Sequence, residues 1–368
     1  MKSDVLIVGG GVIGCSVALR LAQAGLKVTL VERDRIGAEA SRAAAGMLSP
    51  QAEASEPGAF FDLCRESKLR YRDFVAELKT FSGIDAEYRD EGTLVVALPD
   101  DKPGLDEWAA WQIAAGLPIE KLTADDLHRF EPNVTKSATG AIFLTEDHQV
   151  ENRLLMDALA VAIRRLGVEV IEQSAVQSLL IEAGQVQGVQ LEGQKIYSGA
   201  VIVAAGSWSG ALLEPLGFHI KTIPARGQML AVRGSAFRHV LHSSRIYLVP
   251  RSDNRILIGA TVEYAGFEKA ITAKSIHALL DGAIELVPAM ADAEIIETWS
   301  GFRPDTPDHL PIIGQTAIAN LWLATGHFRN GILLAPITAS LLTQSILNGH
   351  TADALKPFSI DRFASDCD

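Results

Sequence analysis

Cysteine is scarce, with three residues in 368, at Cys15, Cys64 and Cys367. Three scattered thiols build neither a disulfide framework nor a cysteine-rich metal site, and they suit a reducing, cytoplasmic compartment. Positive charge is also short: 33 Lys and Arg stand against 45 Asp and Glu, a net charge of −12. No stretch gathers Lys and Arg into a patch that could track phosphates, which argues against nucleic acid and against an anionic membrane as partners. The apolar run in "MKSDVLIVGG" is too short for a secretion signal. Long hydrophobic runs are missing too, apart from "NGILLAPITASLLTQSILNG", Asn330 to Gly349, which carries no charge. Its Pro336, Thr338, Ser340, Thr343, Gln344 and Ser345 make it a buried helix rather than a membrane span.

What is present is ordinary soluble globular composition, 48% hydrophobic and 21% charged, on a chain long enough for two domains. Hydrophobic patterning predicts a strand at Val5 to Val8, a helix from Val12 to Ala24 and a strand at Lys27 to Glu32, a beta-alpha-beta unit. One long helix is expected over Phe60 to Phe81, and strands at "GTLVVAL" and "GAIFLTE" with a Trp-containing helical segment between them. A helix at Asn152 to Leu166, the strand "VEVIE", a hairpin over "SLLIEAGQVQGVQLE" and the strand "GAVIVAAG" return to alternation. From Ile220 to Ser300 strands dominate, and "PRSDNR" reads as a hairpin turn. The expected architecture is α/β: a Rossmann-like nucleotide domain over 1–85, 140–218 and 305–368, interleaved with a mostly antiparallel substrate domain over 86–139 and 219–304.

The strongest motif is "VLIVGGGVIG", with Gly9, Gly11 and Gly14 in the G-x-G-x-x-G pattern around Val12 and Ile13. It follows a strand, opens a helix, and is succeeded at the end of the next strand by Glu32 and Arg33. Gly9 permits the tight turn, Gly11 lets backbone approach a pyrophosphate, and Gly14 allows close helix packing. Glu32 can accept from ribose hydroxyls, which favours FAD or NAD over NADP. Two later segments, "GAVIVAAGSWSG" containing Gly206 and "LWLATGHFRNGILLAP", end strands in small residues that let backbone lie close to a cofactor. In the second, Arg329 is expected in the first turn of a helix, where a cation opposes the dipole. A local rule broken in that way points to a functional site.

These segments, together with "SRAAAGMLSP", "IYLVPR", "ILIGAT" and "WSGFRPDTPDHLPIIG", make the chain resemble glycine oxidase, a branch of the FAD-dependent amine oxidases that include D-amino acid oxidase and sarcosine oxidase. The resemblance covers nearly the whole chain. It implies that Ala40 and Ser41 through Ala45, Gly46 and Met47 pass along the flavin, and that Val176 contacts the adenine side. His327, Phe328, Arg329, Asn330, Gly331, Ile332 and Leu333 would line the flavin ring, with a helix N-terminus aimed at the edge that turns negative on reduction.

For the substrate, the resemblance assigns a carboxylate clamp to Arg303, helped by the Tyr247 hydroxyl, with Arg329 nearby; a planar guanidinium suits a carboxylate through two parallel hydrogen bonds. Hydride would pass from the substrate α-carbon to the flavin, and O2 would be reduced to H2O2. No histidine, His327 and His148 included, is given a catalytic role. Val262 and Arg245 stand where the glycine oxidase pattern has Met and His, and are expected to reshape the pocket floor and mouth. Gly301 falls where monomeric sarcosine oxidases link flavin to a cysteine, so FAD is expected to be non-covalent. The resemblance further implies small-amine substrates (glycine, sarcosine, D-alanine, D-proline), a homotetramer, and supply of an imine for thiamine thiazole synthesis. The alternative is a D-amino acid dehydrogenase passing electrons to a membrane acceptor.

Overall fold

The computed structural model describes residues 3–366 except 55, 100, 102–103 and 219–221. Cys367 and the first residues of the expected 219–304 segment lie outside the described residues.

The glycine motif and its flanks form the centre of a parallel sheet. Strand Ser3–Val8 lies between Gln194–Val203 and Val28–Val31; Leu321–Thr325 and Glu169–Ile171 extend the sheet on either side, and Ile312–Gln315 closes one edge antiparallel. The central strands Ser3–Val8, Val28–Val31 and Leu321–Thr325 read as largely apolar runs because both faces are covered. On one face lie the helices Val12–Gln23, Asn152–Arg165 and Gly331–Asn348, and on the other an antiparallel pair, Ser178–Glu182 and Gln185–Leu191.

The charge-free helix Gly331–Asn348 is long and apolar enough to cross a membrane, yet much of it is buried against Val12–Gln23 and Ala59–Leu69. It contains Pro336, which has no N–H to give the Ile332 carbonyl one turn earlier. The buried Tyr71 hydroxyl donates to that carbonyl at 2.9 Å, and Ser67 bridges the same break by donating to the Leu333 carbonyl at 2.6 Å. The helix therefore keeps its backbone satisfied while its glycine-led end is held in place.

The single helix expected over Phe60 to Phe81 is two, Ala59–Leu69 and Tyr71–Ser82, broken at Arg70. Each stripe has its own target: the first packs on Gly331–Asn348 and the second on Asn152–Arg165. One straight helix cannot face both.

A second sheet has the order Ile295–Asp305, Ile223–Arg233, Arg255–Gly259, Tyr247–Pro250, Val240–His242, Thr93–Ala97, Gly140–Leu144, Glu120–Thr123. All its pairings are antiparallel except Val240–His242 with Thr93–Ala97. One face packs on the helix Ala273–Leu286. The expected hairpin turn at "PRSDNR" joins two of these strands, with Asn254 left-handed at φ 62°. Two expectations need correcting. Gly140–Leu144 belongs to this sheet, so the return to the nucleotide fold comes after Leu144 and not at 140. Glu120–Thr123 gave no strand signal because it is an exposed, charged edge strand with no buried face to imprint a pattern.

Candidate active site

A cavity of about 420 Å³ runs between the carboxyl ends of the parallel strands and one face of the second sheet. Ligands in open α/β sheets bind outside those strand ends. Its cofactor wall is mostly backbone. Gly9 turns at φ 111°, and a Cβ there would lie 2.5 Å from the Ala204 carbonyl oxygen. A Cβ on Gly14 would lie 2.0 Å from the Gly9 carbonyl oxygen, so this glycine seats the helix on the turn and does not itself line the cavity. Glu32 accepts the Gly10 N–H at 2.6 Å and the Asp34 N–H at 2.8 Å, leaving each oxygen a lone pair for a ribose hydroxyl. Arg33 lies 3.4 Å above the centre of the Trp208 ring and pairs with Glu39.

Two helix N-termini meet this wall, those of Val12–Gln23 and Gly331–Asn348, and neither N-cap residue supplies a side-chain bond. Ser41 Oγ accepts the Val12 N–H at 2.9 Å, and helix-start amides of this kind suit phosphate oxygens and a carbonyl edge that gains charge. Backbone amides, absent Cβ atoms and an acid at the ribose position together fit an FAD dinucleotide.

The segment Ala45–Met47 is fixed by Arg251, a cation only 6% exposed. Its Nη2 donates to the Ala45 carbonyl at 2.7 Å and to Asn152 Oδ1 at 3.2 Å, and its Nη1 to the Val150 carbonyl and the Gln149 side chain. Burial pulls its pKa down to about 10, so it stays charged at neutral pH. Gly46, at φ 69°, has the Val150 carbonyl oxygen 2.0 Å from where a Cβ would be. Ties of the same kind come from Trp299, whose Nε1 donates to the Ala43 carbonyl, and from the two-bond pair of Arg153 with Glu297.

The opposite wall is made of side chains. Arg303 and Tyr247 project from neighbouring parts of the second sheet, and Arg303 Nη1 donates to the Thr261 carbonyl at 2.9 Å. The Tyr247 hydroxyl rests 3.8 Å from the Met229 sulfur; burial raises the phenol's pKa, against the pull of Arg303 and Arg329. Arg329 is not in a helix. Phe328 turns the chain at φ 44°, the helix starts at Gly331, and Arg329 sits at the cavity rim, paired with Glu53 at 3.0 Å. The expected clash with the dipole is relieved by that turn.

The turn carrying Glu53 is itself held by Asp147, a buried carboxylate that accepts the Gln51 and Ala52 N–H groups at 3.1 and 2.7 Å; burial raises its pKa to about 7. His327 is 3% exposed, bonded to Thr338, and pushed down to about 3 by burial, hence neutral.

Of the residues expected here, Gly9, Gly11, Val12, Ile13, Glu32 and Arg33 line the cavity, as do Ala40, Ser41, Ala45, Gly46, Met47, Val176 and Gly206. So do Tyr247, Arg303, His327, Phe328, Arg329, Gly331 and Ile332. Leu333 and Asn330 do not: Leu333 is core, and Asn330 is the helix N-cap residue. Val262, 47% exposed, is outside the lining and forms no floor. Arg245 is drawn away from any mouth by Asp281 and Glu285. A Cβ on Gly301 would meet Ala43 Cβ at 2.5 Å, which leaves no room for a flavin-linked cysteine. Sequence reasoning missed Glu53, Trp208, Met229 and Arg251, none of which sits in a spacing pattern; only tertiary contact reveals them.

Residues 4–345 match the family described as FAD dependent oxidoreductase, DAO. The chain belongs to that family. It is 36% identical to glycine oxidase of Bacillus licheniformis over 98% of both chains. It is 38% identical to the bifunctional protein ThiO/ThiG of Synechocystis sp. over 98% of its own length, spanning 54%, about half, of that relative. The crystal structure of glycine oxidase from Geobacillus kaustophilus superposes with a TM-score of 0.93 at 32% identity, covering 98% of this chain and 99% of that one. The mixed fold and the FAD-dependent oxidoreductase class of this enzyme follow from the family.

Proposed function

We propose that this enzyme oxidises glycine and other small primary or secondary amines, such as sarcosine, D-alanine and D-proline, with O2 as acceptor and H2O2 as product. The observation that carries the reading is the pairing of a backbone-built cofactor wall with Arg303 and Tyr247 across one cavity. FAD, held without a covalent link, would accept a hydride from the substrate α-carbon and pass its electrons to O2.

The chain's own residues bind and orient. Arg303 holds the substrate carboxylate through the N–H groups it does not give to Thr261, and the Tyr247 hydroxyl adds a third donor. Arg329 supplies positive field at the rim, moderated by Glu53. His327, neutral and turned into the core, takes no proton. The amine therefore binds neutral, and rate enhancement comes from alignment in a pocket from which water is displaced. Similarity to ThiO/ThiG proteins supports delivery of the imine product to thiamine thiazole synthesis. A cytoplasmic homotetramer completes the reading.

The test is a small-amine panel on purified protein, following flavin bleaching without oxygen and peroxide with it. Bleaching by glycine accompanied by peroxide is expected. Bleaching without peroxide would overturn the oxidase assignment in favour of a dehydrogenase, and no bleaching by any small amine would overturn amine oxidation itself.

A further inference from the structure

We propose that Gly227 and Gly259 are positioning residues, each a bare stretch of strand on which one of the two carboxylate-binding side chains lies flat. The inference rests on the reading of Arg303 and Tyr247 given above. Gly227 lies in strand Ile223–Arg233, whose register pairs Ala225 with Arg303 and Gly227 with Gly301. Arg303 and Gly227 are thus diagonal neighbours on one sheet face. A Cβ on Gly227 would lie 2.4 Å from Nη1, 2.6 Å from Nη2 and 2.7 Å from Cζ of Arg303, so its three nearest atoms all belong to the guanidinium. Tyr247 is directly opposite Gly259. A Cβ there would lie 2.5 Å from the ring atoms Cε2 and Cζ and from the hydroxyl oxygen.

Glycine weakens a strand interior, and where it persists another group comes close to the backbone. Here that group is the substrate-binding side chain in both cases. The guanidinium is trapped between the Gly227 backbone and its bond to the Thr261 carbonyl, and Thr261 is anchored in turn by its hydroxyl accepting the Gln228 N–H at 2.9 Å. One methyl at either glycine would lift its partner off the sheet into the space the carboxylate uses, without touching the cofactor wall.

The test is a double-mutant cycle on flavin-loaded enzyme, with glycolate, a carboxylate lacking the amine, titrated against the visible flavin spectrum. Gly227→Ala is expected to weaken glycolate roughly tenfold or more and to raise the KM for glycine with a smaller change in kcat. The same methyl added to Arg303→Ala, where its space is empty, should change neither glycolate affinity nor Tm. Unchanged affinity in Gly227→Ala, or an equal loss in both backgrounds, would overturn the proposal. Wild-type affinity in Arg303→Ala would instead overturn the carboxylate clamp. If Gly227→Ala does not fold, a folded, yellow Gly227→Ala/Arg303→Ala protein supports the steric pairing, and an unfolded one refutes it. Gly259→Ala is read the same way against Tyr247→Ala.

Discussion

The two walls of the cavity are built from different materials. The cofactor wall is glycines, carbonyls and helix starts, with the acids Glu32 and Glu39, whereas the wall that carries Arg303 and Tyr247 is long side chains on a mostly antiparallel sheet. Backbone sites depend on residues that must be small at fixed spacings along one segment. Side-chain sites depend on which strands become neighbours. The first kind is fragile to any added atom; the second is fragile to loss of a charge and to atoms added at the glycines beneath its side chains.

The harshest way to break the comparison is Gly14→Ala. With a carbonyl oxygen 2.0 Å from the new Cβ, the helix must leave the turn, and purified protein should lack visible flavin absorbance. Arg303→Ala should do the reverse, keeping flavin while raising the KM for glycine about a hundredfold, the equivalent of about 3 kcal/mol. Steady-state kinetics checks it, and unchanged KM removes Arg303 from the site. Arg251→Met attacks the brace between the walls. It strips donors from the Ala45 and Val150 carbonyls, and denaturant unfolding should show a loss of about 3 kcal/mol with weaker flavin retention.

A pH experiment probes the buried end of the cofactor wall. His327 has a folded pKa of about 3 against an ordinary 6.5, so between those values the unfolded chain binds the extra proton and stability falls as pH falls. At pH 5 this amounts to about 2 kcal/mol relative to neutral pH. Asp147 works in the opposite sense: its pKa, raised to about 7 from 3.8, makes the folded state the better proton binder, and its contribution rises as pH falls through that window. His148, lowered to about 4 by burial, sides with His327. His327→Gln should therefore be relatively more stable than wild type at pH 5 than at pH 7, as urea unfolding at both pH values would reveal. Equal differences at the two pH values would contradict the buried neutral imidazole.

The smallest effect belongs to Arg245→Ala. Its partners, Asp281 and Glu285, hold a half-exposed side chain outside the cavity, so the stability change should stay below about 1 kcal/mol and kcat/KM should not move. A large change in KM would restore Arg245 to the pocket mouth.

Legibility in the sequence followed the same division. Gly9, Gly11 and Glu32 could be placed because one beta-alpha-beta unit contains them all, and local geometry alone brings them to one edge. Arg303 and Tyr247 were reached through resemblance, since nothing in their spacing marks them. Arg251 left no readable signal, because its partners Ala45 and Val150 are about 206 and 101 residues away in the chain. The error at Arg329 came from placing a helix boundary by pattern: a single left-handed Phe328 moves the cation out of the helix, and no propensity rule predicts that residue there.

The amino-acid sequence by itself determined the glycine turn and its acid Glu32, because glycine spacing and strand periodicity act over a few residues where chain connectivity fixes geometry. Tertiary structure alone decided that Arg303 and Tyr247 face that turn across one cavity, the glycines beneath them and the Arg251 brace. Those depend on sheet register, which is set by the burial of whole strands and carries no imprint at the residues it brings together.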